Sequence, residues 1–243
     1  MTRNLLVRGM LAGFLAAILA VLFARLFGEP QVDLAIGFEE AHARAMGMAE
    51  DAELVSRAVQ KGLGLFTAVA LYGAAIGGIF SIVFALVYGR VAAIGPRSLA
   101  LLLALAAFIA VALAPALKYP PTPPGVGLHE TIDYRTLTYF TMIGLSLAGL
   151  VMAVWISGWA GRRLGGFNGA LVGAGTYVVI ISGVLLAMPA INEVPVDFPA
   201  VVLWKFRIAA LGIQAVLWTT IGVSFGLMAE HVLRRSAGPQ ARG

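Results

Sequence analysis

The chain of 243 residues has no cysteine, only three histidines, and charge on just 12% of its positions. Without cysteine, disulfides and thiolate metal ligands are excluded together, and the redox compartment is left open. A soluble domain carries roughly 25% charged residues. Here 60% of the chain is hydrophobic and the mean hydropathy is +0.92, more apolar surface than a water-soluble fold can hide. Catalytic signatures are absent too. No Gly-Lys-Ser/Thr phosphate loop and no Gly-x-Ser-x-Gly elbow occurs, and Glu39-Glu40-Ala41-His42 lacks the second histidine of a helical zinc protease. The chain therefore reads as a non-enzyme. No Asp, Glu, Lys or His falls near the middle of any apolar run, which counts against a stand-alone ion-driven pump with a buried proton relay.

What is present is a series of long apolar runs. A helix needs about 20 residues to cross a hydrocarbon core of roughly 30 Å. Six runs qualify: Gly9 to Phe27 (a span near 5–27), Gly62 to Tyr88, Leu99 to Leu117, Leu137 to Ala160, Asn168 to Met188 and Ile208 to Met228. Each is bounded by charge or proline. The runs do not alternate in polarity, so a β-barrel is excluded and the fold class is all-α, a polytopic integral membrane protein in one membrane domain. Arg3 and Arg8 before an apolar run also suit a signal peptide, but the run is long, carries Arg25 and lacks a small-residue cleavage site, so it counts as the first span. Glycines four apart, Gly9/Gly13, Gly73/Gly77, Gly169/Gly173 and Gly222/Gly226, predict close helix contacts without naming the mates. The interior polar groups, among them Ser81, Thr141, Ser146, Thr176, Tyr177, Gln214 and Ser224, read chiefly as helix-helix glue.

The net charge of +5 does not point to nucleic acid, because the basic residues are scattered at the ends of apolar runs. Six spans put both termini on one side, together with the connections 89–98 and 161–167. Those connections carry Arg90, Arg97, Arg162 and Arg163 and no acid, which predicts cytoplasmic termini. The acids are lopsided. Of twelve, only Glu230 lies on that side; the other eleven fall in the outer connections, a field that gathers cations.

The longest polar stretch, Gly28 to Lys61, is the expected site. Pro30 can open a helix running from Gln31 to Met46, on which Glu39, His42 and Met46 share a face at i, i+3 and i+7. A carboxylate, an imidazole and a thioether suit a borderline ion such as cobalt or nickel better than magnesium or calcium. Met48, Glu40 and Glu29 are placed to complete a shell; the competing reading is a solvated acidic helix. In the second outer loop, four prolines within Pro120 to Pro124 impose a rigid arm after Lys118 and Tyr119, followed by His129, Glu130 and Asp133. Asp133 reads equally well as a cap of the fourth helix.

The strings Leu6-Val7-Arg8-Gly9-Met10-Leu11-Ala12-Gly13, Phe27-Gly28-Glu29-Pro30-Gln31-Val32-Asp33 and Phe38-Glu39-Glu40-Ala41 resemble the opening of the CbtA family of predicted cobalt transporter subunits. Tyr88-Gly89-Arg90, Leu117-Lys118-Tyr119-Pro120, Glu130-Thr131-Ile132 and Arg135-Thr136 extend the resemblance over the first 140 or so residues. The resemblance implies a cobalt(II) uptake subunit associated with cobalamin production in the bacterial inner membrane. It also implies a small single-span partner, CbtB, that brings histidines. It carries over Glu29, Gln31, Asp33, Glu39, Glu40, Lys118 and Tyr119 as functional positions without assigned roles. Cobalt is then the transported ion, no cofactor is held permanently, and nickel(II) is chemically indistinguishable. The alternative from another class is a non-transporting scaffold or assembly factor binding a protein through its outer loops.

Overall fold

The computed structural model describes residues 2–45, 59–90, 94–124 and 126–236. Six of its helices are long and apolar enough to cross a membrane, and no strand occurs among the described residues. The polytopic all-α reading therefore holds.

The first span departs from expectation. Helix α1 (Thr2–Phe23) passes through a π turn (Ala24–Gly28) into α2 (Glu29–Ala45), one continuous helix where a loop beginning at Gly28 was expected. Pro30 does not open a new helix. The Glu29 N–H reaches back five residues to the Ala24 carbonyl, and this widened turn accommodates a proline that has no N–H to give and whose ring would strike a tight α turn. The same device recurs. Helix α4 (Pro96–Ala107) widens into a π segment (Phe108–Leu113), with the Ala114 N–H on the Ile109 carbonyl, just before Pro115 in the short α5 (Ala114–Lys118).

The remaining spans are α3 (Leu65–Val87), entered through a π turn broken at Gly62, then α6 (Ile132–Leu164), α7 (Gly166–Ala187) and α8 (Ala200–Ser236). Helices α6 and α8 run well past the apolar stretches that identified them, because terminal turns continue into polar sequence without a breaker. Asp133 lies inside the first turn of α6, where the helix dipole favours an acid, and is not its cap; Thr131 holds that place.

Two compact units emerge, residues 1–105 with 201–243, and residues 106–200. In the first, α1 and α3 touch backbone to backbone. A Cβ on Gly13 would collide with the Gly73 carbonyl, and one on Gly77 would stand 2.9 Å from the Gly13 Cα. Gly222 and Gly226 of α8 lie against Ala104, Ala100 and Arg97 of α4. Phe84 and Phe225, both fully buried, meet edge to face at 5.0 Å, with Phe80 at 5.4 Å from Phe225. Glu230, the one acid on the basic side, is paired with Arg97 and, at 2.9 Å, with Arg234.

In the second unit α6 and α7 form a hairpin turning at Gly165, whose φ of +86° a side chain would strain. Gly169 and Gly173 press on Gly161, Ser157 and Ala153 of α6. Met142 is fully buried with Ala114 and Ile181, the ordinary packed place of a methionine in such a helix.

Candidate functional site

Two groups of predicted residues can be located. On α2, Glu29, Asp33 and Glu40 fall within about 40° of one another around the helix axis, since they stand at i, i+4 and i+11 with 3.6 residues per turn. Asp33, Glu39 and Glu40 are exposed and Glu29 is half-buried. Arg44 pairs with Glu40 at 3.3 Å, the ordinary i, i+4 arrangement. The His42 ring stacks on Phe38, with centroids 6.0 Å apart and planes 16° from parallel. Gln31 has a buried Oε1 with no hydrogen-bond partner among the described residues. Met46 lies outside the described residues, as does Met48 with the acids at 50, 51 and 53. Among the described residues no three of His, Asp and Glu stand close enough to share an ion.

The second group is built more tightly, entirely within residues 106–200. Helix α5 stops at Lys118, where the proline arm begins. The Lys118 Nζ donates to the Leu185 carbonyl at 2.7 Å, at the last turn of α7 where unpaired carbonyls and the negative end of the helix dipole favour a cation. Next to it the Tyr119 hydroxyl donates to the Pro189 carbonyl at 2.8 Å. Burial, then the neighbouring Tyr134, raise the Tyr119 pKa, so it remains a neutral donor. The Tyr119 hydroxyl thereby ties the arm to the segment after α7.

That segment returns the contact through residues that sequence reasoning did not single out as functional. Glu193 Oε2 accepts from the Leu128 amide at 2.9 Å, and Arg135 Nε stands 3.4 Å from the same oxygen. Arg135 Nη2 also donates to the Leu128 carbonyl at 3.0 Å, as does the Thr131 hydroxyl at 3.0 Å. The Glu193 carboxyl is held below the usual carboxylate range by the Thr131 hydroxyl first and the Leu128 amide second, which outweigh the opposing effect of burial, with Arg135 adding the least. Gly127 has a φ of +120°, and a Cβ there would meet the Arg135 guanidinium. Glu130 is exposed, and of His129 only the backbone, in a single 3₁₀ turn, is described. In the sequence Glu193 and Arg135 stand out only as one of two acids in a short connection, beside Asp197, and a base at a helix start, both beyond the apolar runs.

The chemistry of the two groups differs. The first is an open, electronegative helix surface able to attract hydrated cations. The second is a closed set of hydrogen bonds that fixes the proline arm. No curated protein and no solved structure matches the chain. From residue 2 to residue 230, however, it matches the family model described as probable cobalt transporter subunit (CbtA), and the chain belongs to that family.

Proposed function

We propose that this chain is the membrane subunit through which cobalt(II), and nickel(II) as a chemically similar ion, is taken up across the cytoplasmic membrane beside a small single-span partner. The observation that carries the reading is the family match over residues 2–230. The charge pattern supports it, with eleven of twelve acids in the connections opposite the arginine-bearing, acid-free ones. Both termini lie in the cytoplasm. The acidic stripe of α2 gathers the hydrated ion, and Glu39 and His42, with Met46, begin its dehydration as borderline ligands. The bonds of Lys118 to Leu185, of Tyr119 to Pro189 and of Glu193 with Leu128 and Arg135 hold the neighbouring outer connections in place. The chain carries no permanent cofactor and performs no covalent chemistry.

The test is cobalt accumulation in cells stripped of their own cobalt and nickel importers, expressing the chain alone, with its small partner, and as the Glu39→Ala/His42→Ala double variant. Accumulation that requires the chain and drops in the variant, at unchanged membrane abundance, is expected. Uptake unchanged in the variant overturns the α2 site. No flux in any combination, with a protein partner co-purifying, moves the reading to a scaffold.

A further inference from the structure

Hydroxyls inside the helices close on nearby oxygens. Ser81 donates to the Gly78 carbonyl at 2.7 Å, Thr141 to Leu137 at 2.8 Å, Thr176 to Val172 at 2.8 Å and Ser224 to Thr220 at 2.6 Å, while Ser146 and Tyr177 share a hydrogen at 2.8 Å. Of these only the Ser146–Tyr177 bond joins two helices; the other four close on carbonyls of their own helix. Helix α8 is different. Arg207 Nε, Gln214 Oε1 and Trp218 Nε1 are all buried, and none has a hydrogen-bond partner among the described residues. They stand at i, i+7 and i+11, within about 40° on one face of the helix. Trp218 is 6% exposed, and its ring lies 6.5 Å from Phe80. Beyond it the same face continues as Ile221 and Phe225, both fully buried and apolar.

A buried polar atom without a partner costs about 1–3 kcal/mol, and lipid tails can supply none. Three on one stripe are hard to sustain dry. Water is the small partner that can both donate to Gln214 Oε1 and accept from Arg207 Nε and Trp218 Nε1. We propose that this face of α8 lines a water-filled crevice that runs from the Arg207 end of the span to Trp218 and is closed there by the ring of Trp218 and the apolar residues below it. The proposal rests on the orphaned atoms alone and is independent of which ion the protein carries.

The native absence of cysteine makes the test direct. Single cysteines at Gln214 and, as a second reporter on the same face, at Leu211 are treated in membrane vesicles with a charged, membrane-impermeant methanethiosulfonate added from the side that carries Arg207. Thiolates form and react in water and scarcely in hydrocarbon. Ala209→Cys is the control: it is 4% exposed, lies on the opposite face and stands nearer the helix end than Gln214. Ile221→Cys, one turn below Trp218, tests closure. Labelling of the Gln214 or Leu211 cysteine an order of magnitude faster than at 209 and 221 is expected, in variants that keep the native size-exclusion profile. Equal, slow labelling at all four positions overturns the crevice. Rapid labelling at 209 or 221 as well overturns it equally, because the water is then not confined to the stripe.

Discussion

Lys118 and Glu193 reach the same end of one unit by opposite chemistry. Lys118 spends its charge on a helix-end carbonyl, a charge-assisted bond of the kind whose loss costs about 1.5–3 kcal/mol, while the long stem stays packed. Lys118→Met keeps the stem and removes the donor, so it should lower the melting temperature in detergent, read by a thermal shift. Glu193 is pH-sensitive. Its folded pKa lies below the unfolded value, so the stability it contributes is fully present above the ordinary carboxylate range and is lost as pH falls through the depressed folded value. Glu193→Gln should therefore melt a few degrees below the wild type near neutral pH, and the gap should close in acid below the ordinary carboxylate pKa. A gap that persists unchanged into acid would mean the side chain acts only through shape. Neither partner was legible from the sequence. Residues 118 and 185 are joined through a carbonyl, which every residue has, and pairing Arg135 with Glu193 requires knowing that the arm folds back.

At the level of the helices, the glycine pairs carry the contacts. Gly13 and Gly175 are both helix glycines in apolar sequence, yet a Cβ at Gly13 collides with the Gly73 carbonyl whereas one at Gly175 meets nothing within 4 Å. Gly13→Val should cost about 1–3 kcal/mol through overpacking and broaden the size-exclusion peak, while Gly175→Val should leave both stability and elution unchanged. Equal effects would show that helix propensity, not contact, sets the cost. The spacing announced that Gly9, Gly13, Gly73 and Gly77 pack closely, but nothing in an apolar pattern says which helix receives which. Helix number was legible because twenty apolar residues have few other uses in lipid. The ends were not. Pro30 looked like a helix start because its ring clashes with a tight turn, and only the π turn at Ala24–Gly28 reveals that the helix runs on to Ala45.

Taken whole, the proposed topology separates charge across the bilayer. If each helix crosses once with both termini inside, eight basic and eleven acidic residues lie outside, against nine basic and one acidic inside. With that orientation the single inner acid, Glu230, is neutralised by Arg97 and Arg234, which leaves the inner face cationic. With that proposed orientation, a cation arriving from outside meets an attractive field on α2, where four acids stand with a single arginine between Glu29 and Ala45. Such a field raises the local ion concentration without binding any ion tightly, and it is screened over a Debye length of roughly 8 Å at physiological salt and about 3 Å at 1 M. Converting Glu29, Asp33 and Glu40 to their amides while leaving Glu39 and His42 intact should thus raise the half-saturating cobalt concentration several-fold at low salt with little change in maximal uptake. Added inert salt should raise it in the wild type toward the variant's value. The alternative, direct ligation by these three carboxylates, gives a different signature: the variant would stay impaired at high salt and its maximal rate would fall as well. Uptake kinetics at two ionic strengths, measured on the same vesicles, separate attraction from coordination.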